Sequence, residues 1–152
     1  WRWVVGMSCE LWVMGERIKA RSFEDLDVYQ RLYKAMLVVM KEVAFVLPQE
    51  EKFDLVAQLR RCCKSSPALI AEGYGRKSYK KDWQKYLNAA IGECNEMIVH
   101  LSICRDVYGK LFEEGTLDAL IEEYNIGGKQ LFRLGEKWDD RGGVFGSTEM
   151  TR

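Results

Sequence analysis

From Leu26 onward the apolar residues Leu26, Tyr29, Tyr33, Met36, Met40, Val43 and Leu47 follow one another in steps of 3, 4, 3, 4, 3 and 4. This alternation keeps a stripe on one face of an α-helix, and no strand of period two can reproduce it. Ser22 or Asp25 is suited to cap the start, and Pro48 stops the helix. The pattern then recurs three times. After Pro48 the acidic QEE suits a helix N-terminus, and Leu55, Leu59, Cys62, Ser66 and Leu69 form a second seam, with Val56, Cys63 and Ile70 beside it. The third seam is Trp83, Leu87, Ala90, Cys94, Met97, Leu101, Cys104 and Tyr108, with Ser78 as its expected N-cap and Gly109 as its expected end. The fourth is Leu117, Leu120, Tyr124, Gly127, Leu131, Leu134 and Trp138. Gly127 and Gly128 fall inside it and each costs about 1 kcal/mol against Ala, so this helix is expected to be the weakest.

Four long periodic segments joined by short connections predict an all-α, antiparallel up-down four-helix bundle over residues 21–138. Residues 1–20 are set apart as an N-terminal extension; 1–13 are expected to come from upstream translation, with Met14 a candidate start. Residues 139–152 read as a polar, glycine-rich flexible tail. The length of 152 residues fits one domain whose core needs neither disulfide nor metal.

The stretch 65–78, SSPALIAEGYGRKS, decides between a phosphate-cradling loop and a helix junction. It lacks the GxxxxGK[ST] spacing and follows a helical pattern instead of a strand. The expectation is therefore a junction: Gly73 or Gly75 ends helix two with a positive φ, and Ser78 opens helix three. Pro67 removes the hydrogen bond to the Cys63 carbonyl and should kink helix two, with Ser65 and Ser66 placed to satisfy the freed groups.

The chemistry-bearing residues are few. Cys9, Cys62, Cys63, Cys94 and Cys104 are an odd number without a CxxC, so they read as reduced thiols of a cytoplasmic protein. His100 stands one turn from Glu96 and from Cys104, but one His cannot build a di-iron bundle site, and a seam cysteine is buried and inert. No enzyme, metal or cofactor is expected. No apolar run reaches the length of a membrane span.

Charge is more informative. Lys+Arg and Asp+Glu are both 23, so net charge is zero. Yet residues 60–85 hold eight bases, Arg60, Arg61, Lys64, Arg76, Lys77, Lys80, Lys81 and Lys85, against Glu72 and Asp82, a net +6. Residues 106–124 hold Asp106, Glu113, Glu114, Asp118, Glu122 and Glu123 against Lys110, a net −5. The bases are candidate phosphate contacts, with Tyr74, Tyr79 and Trp83 nearby to stack nucleic-acid bases; solvated helix faces are the plain alternative. Leu37, Val38, Val39, Phe45, Val46, Ile91, Ile98 and Val99 widen the apolar faces of helices one and three beyond one seam, which hints at self-association.

Three segments carry a family resemblance: FEDLDVYQ at 23–30, LPQEEKFDLVAQLRRCCKSSPALIAEGYGRKSYKKDWQKYLNAA at 47–90, and GECNEMIVHLSICRDVYG at 92–109. Over about residues 23–138 the chain resembles the four-helix-bundle proteins encoded in 23S rRNA intervening sequences. QLRR, SSPALIAEGYGR and Tyr86-Leu87 are the sharpest parts, and Leu69 stands where the family usually has Asn. The resemblance implies a homopentameric ring. It also implies a relation to the accessory variability protein of diversity-generating retroelements, a pentamer that binds a reverse transcriptase and nucleic acid. The expected function is a non-enzymatic oligomeric scaffold that associates with RNA or DNA through the basic residues; the alternative is a protein-interaction subunit such as a reverse-transcriptase accessory protein.

Overall fold

A computed structural model describes residues 12–13, 16–17 and 20–138. Four helices account for most of them: α1 (Asp27–Val38), α2 (Leu55–Tyr74), α3 (Lys80–Tyr108) and α4 (Thr116–Lys137). Ahead of them β1 (Trp12–Val13) pairs antiparallel with β2 (Glu16–Arg17), a two-residue ladder that helical periodicity cannot announce. The tail assigned to 139–152 lies outside the described residues, as do most of 1–19.

The helices form a closed set: α1 packs on α2, α2 on α3, α3 on α4, and α4 back on α1. Individual contacts fix the register. Tyr86 donates to Glu72, Cys62 Sγ donates to the Glu93 carbonyl and Tyr108 donates to Glu51, so partners on α3 rise in number as those on α2 and its approach fall. On the next pair, Gln84 donates to the Gly135 carbonyl while Arg105 pairs with Asp118.

The third seam is reproduced in full, with Trp83, Leu87, Ala90, Cys94, Met97, Leu101 and Cys104 all buried and Tyr108 partly so. The fourth holds too: Leu117, Leu120, Tyr124, Gly127 and Leu131 are buried, and α4 runs unbroken through Gly127 and Gly128. A Cβ on Gly127 would lie 2.7 Å from Leu32 Cδ2, so this glycine lets α1 and α4 approach closely.

The first helix differs. Its core face is Val28, Leu32, Ala35, Val39 and Val43; Tyr29, Met36 and Met40 are only partly buried and Tyr33 is exposed. Two apolar stripes lie side by side here, and periodicity cannot choose between them. The fold takes the aliphatic one and leaves the tyrosines, with their hydroxyls, on the rim, where Tyr29 and Tyr33 stack at 5.8 Å. α1 then continues as a π-helical turn, Val39–Val43, closed by Ala44 N–H to the Val39 carbonyl. The extra residue in that turn keeps Val39, Val43 and Leu47 on the core side.

Several ends also differ. Ser22 and Asp25 form a capping box, but on the 3-10 turn Phe23–Asp25 that precedes α1. The N-cap of α3 is Tyr79, and Ser78 makes no cap. Gly75 and Gly109 stay in the right-handed region; the described glycine with positive φ is Gly115 (φ 81), which starts α4. Gly73 is needed for contact, not for a turn: a Cβ there would sit 2.5 Å from Tyr86 Cβ and 2.9 Å from Trp83. The glycines of GYG are thus an α2–α3 packing point followed by a run of turns at 73–79, not a phosphate cradle.

Candidate nucleic-acid interface

The eight candidate bases do not form one patch. Arg60, Arg61 and Lys64 lie in the first half of α2, whereas Arg76, Lys77, Lys80, Lys81 and Lys85 lie at the α2–α3 turn and the first turns of α3. From Lys64 to Arg76 is twelve residues, roughly 18 Å along a helix axis.

The first group is partly spoken for. Arg61 bonds Glu96 and stands 3.6 Å from Glu93. His100 Nε2 is 3.2 Å from the same Glu96 oxygen, and Cys62 Sγ is 3.0 Å from Glu93 Oε2. These contacts hold the Glu96 carboxyl below its ordinary value, through His100 first and Arg61 next. Cys62, Glu93 and Glu96 bring their donor atoms within 4.8 Å of one another, but the Arg61 guanidinium already answers both carboxylates. Burial, with Glu93 beside it, pushes the Cys62 thiol far up. Burial also raises Cys63 and Cys104 to about 11 and Cys94 to about 12, which matches inert thiols rather than nucleophiles. His100 is mostly buried, as its place on the α2 side of α3 requires.

The second group is solvent-facing. Arg76, Lys80, Lys81 and Lys85 are exposed. Arg76 stands 3.8 Å from Asp82, and Lys77 Nζ sits 4.1 Å over the Tyr74 ring. The α3 N-terminus has no side-chain cap, so its first N–H groups add positive potential to that of the lysines. Of the three aromatics expected to stack bases, Trp83 is fully buried and Tyr74 nearly so. They build an edge-to-face cluster with Trp138 and Phe23 beneath the turn. Tyr79 alone of the three stands out, 71% exposed.

The fold adds a residue that linear charge counting missed. Trp138 Nε1 donates to the Lys77 carbonyl, which brings the end of α4, and with it exposed Lys137, to the same end of the molecule. Its signal in sequence was the ordinary preference for a base in a last helical turn. The acidic block occupies the opposite end of α3, where Arg105 bridges Asp106 and Asp118 and Glu113 and Glu114 are exposed in the α3–α4 connection. The 29 residues of α3 separate the two by roughly 43 Å. The charge blocks are therefore opposite poles of the molecule.

No helix of the described residues is long and apolar enough to cross a membrane. No curated protein and no solved structure matches the chain. The family model of the 23S rRNA-intervening sequence protein does match, over residues 24–133, from the turn before α1 to the last turns of α4, and the chain belongs to that family.

Proposed function

We propose that this chain is a non-enzymatic, oligomeric four-helix scaffold that binds RNA or DNA phosphates with its basic pole. The observation that carries the reading is the convergence of Arg76, Lys77, Lys80, Lys81, Lys85 and Lys137 around an uncapped helix N-terminus and the exposed Tyr79. Cations and free N–H groups take phosphates, and a tyrosine face takes any base, so recognition would be tolerant of sequence. The contact registers support an up-down antiparallel bundle, with a bend in α2 at buried Pro67. Buried, unpaired thiols support a cytoplasmic setting. Assembly into a ring, pentameric by family resemblance, would repeat the pole and multiply modest contacts.

The test is fluorescence anisotropy of labelled RNA and DNA at two salt concentrations, with mass fixed by light scattering in the same buffer. Binding should weaken steeply with salt. Reversing Arg76, Lys77, Lys80 and Lys81 to Glu should weaken it further and flatten the salt slope. Unchanged binding in that variant sinks the site. No binding at low salt by a confirmed oligomer moves the reading to a protein partner.

A further inference from the structure

Two unpartnered faces at one level of the bundle complement each other. The first is a groove of about 830 Å³ along the α1–α2 corner and the outer side of α2. Its floor includes Leu47, Val56 and Ala57, its walls carry Phe45 and Phe53, and Arg60 and Lys64 line its far end. Phe53 is 88% and Phe45 78% exposed, unusual for phenylalanine. The second face is a ridge on α3. Val99, Ile103 and Val107 recur every four residues on the side opposite the core seam, and all three are exposed, Val107 at 64%. Asp106 borders the ridge, and Glu113 and Glu114 follow just beyond it.

We propose that the groove of one copy of this chain receives the α3 ridge of a second copy. The shapes fit, since one is concave and the other a single row of branched side chains. The charges fit, since bases line the groove and acids border the ridge. Buried aromatic anchors at the centre with charges at the rim are the ordinary anatomy of a stable interface. The two faces differ, so the contact is heterologous and each copy keeps one face free for the next. Their levels also agree: Tyr108 bonds Glu51, so the corner that opens the groove sits beside the end of the ridge. A contact between faces at the same height does not climb from copy to copy. It closes a ring and sets every basic pole on one rim. This inference rests on the assembly in the proposed function and names the surfaces that make it.

The experiment is light scattering on the full chain and two surface variants, Phe45→Asp/Phe53→Asp for the groove and Ile103→Asp/Val107→Asp for the ridge. The wild type should be larger than a dimer. Each variant alone should fall to monomer mass, with its helical circular dichroism unchanged. An equimolar mixture of the two should give a mass of two chains, because each supplies the face that the other lacks. The inference is overturned if either variant keeps the wild-type mass, if either forms a dimer alone, or if the mixture stays monomeric. A monomeric wild type overturns the proposed assembly as well, while nucleic-acid binding by the pole is judged separately by anisotropy.

Discussion

Neighbouring glycines in α4 face opposite surroundings. Gly127 meets Leu32 at 2.7 Å from where a Cβ would stand, while Gly128 meets nothing within 4 Å. Alanine at either position gains about 1 kcal/mol of helix propensity. At Gly127 overpacking of about 1–3 kcal/mol outweighs that gain. Gly127→Ala should therefore lower the urea midpoint and Gly128→Ala should raise it; two shifts of the same sign would contradict the close approach of α1 and α4. The thiols give a second check at this scale. With Cys9, outside the described residues, replaced by Ser, the native protein at pH 8 should react with a disulfide reagent only as fast as it unfolds. Cys63, Cys94 and Cys104 titrate at about 11 to 12 and Cys62 is buried. That these cysteines are core residues was legible from their seam positions. That Gly127 is a packing device was not, because sequence shows a helix cost and not the neighbour that explains it.

α2 carries two unequal polar arrangements. Ser65 Oγ donates to the Arg61 carbonyl, but the fully buried Ser66 Oγ has no partner among the described residues, so only one of the two serines expected to serve the Pro67 region does so. Ser66→Ala should raise stability by about 1 kcal/mol, or roughly 2–4 °C in Tm, because it removes an unpaired hydroxyl and breaks no bond. On the outer side, His100 and Arg61 lower the Glu96 pKa. A carboxyl depressed in the folded state stabilises above its unfolded pKa, about 4.3, and that contribution disappears as pH falls through the lower folded value. Wild type should thus exceed Glu96→Gln in Tm at pH 7, by a margin under about 1 kcal/mol because the group is well exposed, and the gap should close in acid. Elements were legible in proportion to how narrow their apolar stripe was. α3 has one stripe and was read residue by residue; α1 has two, and its partner chose between them through Leu32 and Gly127. Caps were legible least, since Ser78 lost its expected place to Tyr79, which no propensity favours.

Across the whole molecule, one basic block in sequence becomes two groups with different surroundings, because α2 spans about 30 Å between them. Charge counting showed that the chain was bipolar; only the helical registers showed that the poles are opposite ends of α3. The separation of the two groups makes their roles separable by ligand length. A short RNA of about eight nucleotides, close to the site size of one small binding unit, engages one basic pole. An RNA several times longer can engage the poles of neighbouring copies, and its affinity then gains from effective concentration without any new kind of contact. Reversing Arg76, Lys77, Lys80 and Lys81 should weaken both RNAs and flatten both salt slopes, since each single-strand phosphate contact contributes about 0.7 to the slope. The groove variant Phe45→Asp/Phe53→Asp leaves every residue of the pole intact. It should leave the short RNA unchanged and weaken the long one toward the short one's affinity. Equal weakening of both RNAs by the groove variant would place phosphate contacts beside Arg60 and Lys64 instead, and would join the two basic groups into one binding surface.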